Sequence, residues 1–318
     1  MKTLKIIGSV ILIVIILLIL FAFYEFRYGF KNFKTGLYQI PQQKYKTWDE
    51  VLKNPVDLKI TRLQTGTVTA GKNLQSLLNK NNPNINKINL QNLSAPVLVY
   101  YINHQKYGDI LIDVGFDDSV AKNTSYKEYP LSFTIFQKIM GFKNKQEKGQ
   151  DMASLIKKYN INPKKIFFTH LHSDHIAGLL DLPDNIEIIL CENELTFFNK
   201  AASGFFLKSK KNMQAFNFDN SISLPPFDKA IDLFGDGSLW AIFTPGHTDG
   251  HVSYLVNAKS GPVLITGDAC MFNEAFKYGV EPFTMSKVGM PAAAKSLKSL
   301  MEFKNMHPET KVYVGHDL

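Results

Sequence analysis

Cysteine is nearly absent: Cys191 and Cys270 are the only two in 318 residues. Two cannot make a disulfide framework. Both end apolar, strand-like runs, so buried free thiols are expected. The chain also lacks an internal repeat, a long low-complexity tract and a dense block of one charge sign. The net charge is +8, but it is spread as single lysines. The densest run, "LKSKK" at 207–211, is short and has no nucleic-acid motif around it. No nucleic-acid partner is expected, and the basic surface reads as a solvated face that also suits an anionic membrane.

Charge is missing altogether from one stretch. Ile6 to Tyr24, "IIGSVILIVIILLILFAFY", holds no ionisable acid or base in nineteen residues. At about 1.5 Å rise per residue this nearly spans a bilayer core of roughly 30 Å. It exceeds the apolar core of a signal peptide, and no small-residue cleavage site follows. Phe21, Phe23, Tyr24, Phe26, Tyr28 and Phe30 suit an interfacial aromatic belt instead. The expectation is a retained single-pass membrane anchor over residues 1–30. Lys2 and Lys5 precede the span, and Arg27, Lys31 and Lys34 follow it. The count of flanking lysines and arginines leans weakly toward a cytoplasmic C-terminal side. The usual behaviour of an N-terminal signal-anchor points the other way, and an extracytoplasmic domain is the expectation adopted.

Residues 31–58 read as a polar juxtamembrane connector, and 59–318 as one folded domain. "LKITRLQTGTVTA", "APVLVYYIN" and "GDILIDVG" have strand character, the last two joined as a hairpin. Asp151 can cap a helix in which Met152, Leu155, Ile156 and Tyr159 recur at helical spacing. "KKIFFT", "IEIILC", "SLWAIFT", "HVSYLV", "PVLITGD" and "KVYVG" are further strands, and "PAAAKSLKSLMEF" is a helix. Strands and helices interleave, but hairpins are too frequent for a purely parallel sheet. An α+β fold of two sheets with helices outside them is expected.

Histidine is concentrated. Of eight in the chain, His170, His172 and His175 lie within six positions, with Asp174 between them. His170 and His172, two apart at a strand end, share a face. Asp174 and His175 fall where the chain turns into a helix. Four such groups together carry a heavy desolvation cost unless something pairs them, and a divalent metal does so. Imidazole and carboxylate suit zinc, and also iron or manganese. Three other apolar strands run through a glycine turn into a ligand-type residue: His247 in "TPGHT", Asp268 in "TGDA" and His316 in "VGHD".

In this order, "LIDVG", "HLHSDH", "PGHT", "TGDA" and "VGHD" resemble the five motifs of the metallo-β-lactamase-fold hydrolases, over roughly residues 60–318. The resemblance implies a four-layer αββα sandwich with the site at one edge between the sheets. It implies two divalent metal ions, zinc by first choice. His170, His172 and His247 would hold one, Asp174, His175 and His316 the other, and Asp268 would bridge them. Asp113 would lie outside the ligand set and stabilise the loops around it. His251 is open between a supporting role and a strand start, and His104 and His307 read as exposed loop residues.

Two such cations about 3.5–4 Å apart lower the pKa of a shared water from 15.7 toward about 7, and the hydroxide attacks an electrophilic carbonyl or phosphorus. Asp174 is the candidate catalytic residue, as ligand or as proton relay to the leaving group. Within the superfamily the chain is most similar to the lactonase-like branch that includes acyl-homoserine lactone hydrolases, so a small-molecule lactone is the expected substrate. It departs from that branch at Met271, where many members have tyrosine, and at Asp249, where proline is usual. A phosphodiesterase or phosphotriesterase, a thioesterase or a β-lactamase would share the ligand set. From other classes, an iron oxidoreductase is disfavoured because such members typically have glutamate where His172 stands, and a non-catalytic metal-binding protein because the ligand set is complete. Phe197, Phe198, Phe205, Phe206, Phe216 and Phe218 read as either the lining of an acyl pocket or core.

Overall fold

The computed structural model describes residues 12–14, 16, 17, 19, 20, 35–70, 74–90, 94–124 and 129–318. The anchor expected over 1–30 falls almost wholly outside them. Those described within it are helical and exposed. Among the described residues no helix is long and apolar enough to cross a membrane.

Among the described residues, fourteen strands form two sheets. The first runs through β1 (Gly36–Leu37), β2 (Leu58–Ala70), β3 (Ala95–His104), β4 (Gly108–Ile112), β5 (Phe142–Lys145), β6 (Pro163–Phe167), β7 (Glu187–Cys191) and β8 (Met213–Phe216). Their spatial order is β1-β8-β7-β6-β4-β3-β2-β5. The second contains β9 (Ile222–Leu224), β10 (Phe227–Asp232), β11 (Leu239–Phe243), β12 (Val252–Ala258), β13 (Gly261–Gly267) and β14 (Lys311–Val314), in the order β14-β13-β12-β11-β10-β9.

Side-chain alternation explains the layering. In β3, Leu98, Tyr100 and Ile102 enter a core shared with Tyr254, Val256 and Ile265 of the second sheet. Val97 and Val99, pointing the other way, pack with Met152, Leu155 and Phe206. Those three belong to helices α3 (Met152–Tyr159) and α5 (Phe197–Leu207), which follow α1 (Trp48–Leu52), α2 (Leu131–Met140) and, between them, α4 (Ser173–Ile176). On the far face of the second sheet, Trp240, Ile242 and Leu264 pack against Leu300 and Phe303 of α7 (Gly289–Met306), which follows α6 (Asn273–Tyr278). The layers are thus helix, sheet, sheet, helix. Strands buried on both faces are continuous apolar runs, which is why β3 and β4 lack the polar alternation of a half-exposed sheet.

Local signals hold where the chemistry is local. The Asp151 carboxylate accepts from Ser154 N at 2.8 Å and caps α3. The stretch read as a connector behaves differently from its composition. Within 35–58, β1 pairs in parallel with β8, Tyr38 donates to Leu233 O in the core, and Trp48 is buried with its ring edge-on to Trp240 and Phe303. A few aromatics suffice to fasten an otherwise polar segment, because each buries a large apolar area. Phe206, Phe216 and Phe218 are core residues, so the acyl-pocket reading fails for them. His104 and His307 are buried as well. His104 ends β3 and accepts from Lys106 N, and His307, just past the end of α7, lies against Phe303 with the two rings tilted.

Candidate metal centre

Topology brings the histidine-bearing turns together. β4 and β6 are parallel neighbours in the first sheet, so Asp113 and the turn 168–172 leave from the same end. β11 and β13 are each antiparallel to β12 and therefore run in one direction, while β14 is parallel to β13. His247, Asp268 and His316 all emerge at that end of the second sheet. Val252 N donates to Thr169 O across the gap at 2.9 Å. Two of the turns need glycine. Gly267 has φ +52°, and a Cβ there would stand 2.7 Å from His251 Nε2. At Gly246, with φ +142°, a Cβ would strike the Ala293 backbone at 2.4 Å.

The structure brings all seven candidate ligands into two adjoining groups: His170, His172, His247 and Asp268, and Asp174, His175 and His316. Within each, the donor atoms lie within 4.8 Å of one another. Asp268 joins the groups. Its Oδ2 is 3.2 Å from His247 Nε2, and its Oδ1 lies 3.3 Å from His316 Nε2 and 3.5 Å from His175 Nε2. Asp174 Oδ2 sits 3.7 Å from His316 Nε2, with 22% of its side chain exposed.

Tautomers follow from the partners. His175 Nδ1 donates to Asp113 Oδ2 at 2.7 Å. The His316 Nδ1–H finds Pro96 O at 2.9 Å. Thr169 Oγ1 donates to Asp113 Oδ2 at 2.8 Å and so receives from His170 Nδ1 at 3.0 Å. In all three imidazoles a proton is held at Nδ1, so Nε2 is the nitrogen turned to the shared space, and in the neutral ring it offers a lone pair there. Among the described residues, the buried Nε2 atoms of His170 and His175, and Asp268 Oδ1, have no hydrogen-bond partner. Buried acceptors with nothing to accept from are costly. Converging on one another, they match the donor set of divalent cations of the zinc type. The residues fit the group.

The electrostatics reflect the same crowding. Burial, then the neighbouring imidazoles, holds His170 well below the usual histidine range. Burial lowers His247 in the same way, against the pull of Asp268. At His175 burial also opposes charge, but Asp113, Asp268 and Asp174 together outweigh it and raise the group. His316 is raised to about 9, burial being overcome chiefly by Asp268. Burial works against ionisation of Asp268, yet His316, His175 and His247 hold it well below the carboxylate range.

His251, left open by its sequence position, supports Asp268. Asp268 N donates to His251 Nε2 at 3.0 Å, so the ring proton is on Nδ1 and goes to Thr244 Oγ1 at 2.9 Å. Thr244 then donates to Ser253 Oγ, and Ser253 to Thr266 O at 2.8 Å. This one-directional chain needs neutral His251, and burial lowers its pKa to about 3. The two lactonase departures also have structural expressions. Met271 is buried among Leu74, Phe272 and Val314. Asp249 Oδ1 accepts from Ser286 Oγ at 2.6 Å and Lys287 N at 2.8 Å, pinning a segment on which Phe283, Met285 and Val288 are exposed.

Glu194 was not singled out by the sequence reading. It is buried and accepts from Leu171 N and Gly250 N, on the two turns that carry His170, His172 and His247. Lying beyond β7 in "CENEL", it has no spacing relation to the histidines that would reveal it.

A sequence model of the metallo-beta-lactamase superfamily matches residues 95–316. The N-acyl homoserine lactonase AttM of Azorhizobium caulinodans is 27% identical over 273 residues, covering 82% of this chain and 94% of its own. AttM of Agrobacterium fabrum is 28% identical over 270 residues, with the same coverage. Among solved structures, an N-acyl homoserine lactone hydrolase with N-hexanoyl-L-homoserine bound at its catalytic metal center shares the fold with a TM-score of 0.61 and 20% identity, over 83% of this chain and 94% of its own. By its motifs, its two-sheet fold and its histidine–aspartate clusters, this chain belongs to the metallo-beta-lactamase superfamily and is a metal-dependent hydrolase homologous to lactonases.

Proposed function

We propose that this protein opens a lactone ring at a dinuclear centre. His170, His172 and His247 would hold one cation and Asp174, His175 and His316 the other, with Asp268 available to both. The observation that carries the reading is the convergence of buried, unpartnered acceptors of His170, His175 and Asp268 on one space. Two divalent cations, zinc by first choice, would supply Lewis acidity there and lower a water's pKa toward neutrality. The protein's own residues then orient the ester and manage the proton. Water adds to the carbonyl carbon and gives up a proton, the ring C–O bond breaks, and the leaving alkoxide takes up that proton. Asp174, partly exposed and grouped with His175 and His316, is the residue assigned to carry it. Nδ1 donations from His170, His175 and His316 keep the rings aimed throughout. Acyl-homoserine lactones are the substrate suggested by the AttM relatives. Because Met271 is buried and has no hydroxyl, carbonyl polarisation here rests on the centre itself.

We also propose that residues 6–24 anchor the protein in a membrane, with the hydrolase domain, to which residues 35–58 are fastened, on the extracytoplasmic side. The uncharged apolar run supports this. A substrate panel on metal-analysed protein tests the catalytic reading: lactones, thioesters, phosphodiesters, phosphotriesters and cephalosporins. Lactone turnover with about two metal ions per chain is expected. Phosphoester turnover with lactones untouched would refute the substrate class. Protease shaving of intact cells tests the topology: a protected domain would refute export.

A further inference from the structure

We infer that Glu194 is a positioning residue that sets the geometry of the His170, His172 and His247 group. The inference rests on these three being ligands, as proposed above. They come from different sheets, His170 and His172 from the turn after β6 and His247 from the turn after β11. Something must hold the two turns in register, and a single carboxylate touches both. Its Oε2 accepts from the N–H of Leu171, the residue between the two histidines, at 2.9 Å. Its Oε1 accepts from Gly250 N at 3.0 Å and from the Thr248 hydroxyl, immediately after His247. Asn199 Nδ2 fills the remaining site on Oε2 at 3.1 Å.

The surroundings allow little slack. A Cβ at Gly250 would lie 2.3 Å from Glu194 N, so the His247 turn is packed directly on this segment. The carbonyl of Leu171 is held from the other side by the Ser203 hydroxyl. Both backbone polar groups of Leu171, the residue between His170 and His172, are therefore fixed. Burial raises Glu194 to about 7, although Thr248, Leu171 and Gly250 all favour the anion. An apolar pair would join two loops without burying an acid. A carboxylate does what an apolar pair cannot: it fixes the direction of two backbone N–H groups, and through them two histidine-bearing turns. Groups that orient metal ligands from behind typically change metal affinity 10–100-fold when removed.

Glu194→Gln keeps the shape but leaves one acceptor oxygen where there were two. Either Leu171 N or Gly250 N then faces an amide NH2. The full-length protein is titrated with zinc against a chromophoric chelator in two backgrounds. His316→Ala leaves the first group whole, and His172→Ala leaves the second. Cobalt(II) spectra are recorded in parallel. Glu194→Gln is expected to weaken zinc binding roughly 10–100-fold in the His316→Ala background and to shift the cobalt bands there. In the His172→Ala background the affinity stays within about twofold, inside the spread expected of unrelated sites. Thr248→Val, which removes one donor and keeps the carboxylate, gives a smaller loss of the same kind and serves if Glu194→Gln does not fold. Equal weakening in both backgrounds, or stability loss with zinc affinity and cobalt spectrum unchanged in the first, would overturn the inference. Wild-type protein that takes up no metal would instead overturn the ligand reading, and this inference with it.

Discussion

Asp113→Asn probes how the second group of ligands is held. The Asp113 carboxylate receives three hydrogen bonds: Thr169 N on Oδ1, and Thr169 Oγ1 and His175 Nδ1 on Oδ2. Its backbone has φ +60°, a left-handed conformation that asparagine also tolerates, so the change isolates the loss of an oxygen. With the amide oxygen in the Oδ2 position, His175 keeps its acceptor and Thr169 N faces an NH2. With the amide reversed, the NH2 faces His175 Nδ1 and favours the tautomer protonated at Nε2. That tautomer aims a proton, not a lone pair, at Asp174 and Asp268. Either arrangement leaves one buried donor unsatisfied at a charged site, worth about 1.5–3 kcal/mol. Urea unfolding should show a loss in that range. Zinc binding by the Asp174, His175 and His316 group should fall about 10–100-fold. A variant with wild-type unfolding and wild-type zinc affinity in both groups would refute this account of Asp113.

Chelation followed by desalting should abolish hydrolysis, and zinc should restore it; activity that survives metal removal would refute a metal-dependent reaction. Trp48→Ala should destabilise the fold by about 3–5 kcal/mol, because Trp48 is buried against Phe227, Trp240 and Phe303; an unchanged melting midpoint would mean residues 35–58 are not part of the folded unit. Burial raises Asp181 from 3.8 to about 6, so the native state binds the extra proton between those values. Its contribution is full below about pH 3.8 and is lost as pH rises through about 6. Asp181→Asn should gain stability relative to wild type across that window, read as the difference in urea midpoints at pH 4 and pH 7, and a difference independent of pH would refute the assignment. Asp249→Ala removes the acceptor of Ser286 Oγ and Lys287 N; at about 1 kcal/mol per bond, the 284–288 segment should open roughly 30-fold more often, seen as faster limited proteolysis there, with unchanged cleavage as the refuting result.

The site was unusually legible because its ligands are rare residues at strand ends. Three histidines in six positions, and three more glycine turns ending in histidine or aspartate, survive as patterns in the chain because each turn is a local structure. The residues that orient those ligands were not legible in the same way. Thr169, Thr244 and Ser253 are common types whose meaning is a hydroxyl's direction. Their function exists only once β6, β11 and β12 are packed. Residues 35–58 were misread for a related reason. Their polar composition is that of a connector, and the attachment lies in a few aromatics whose partners are 170 or more positions away.

The sequence by itself determined the strand and helix periodicities, the apolar strands that must be buried on both faces, and the identity of seven side chains able to hold metal. Tertiary structure decided which of them meet. The shared direction of β4 with β6, and of β11 with β13 and β14, delivers the turns to one end. The hydrogen bonds behind the rings then choose each tautomer. Local chemistry is written in residue type and spacing, whereas the aim of an imidazole depends on a donor or acceptor far along the chain, and only packing brings the two together.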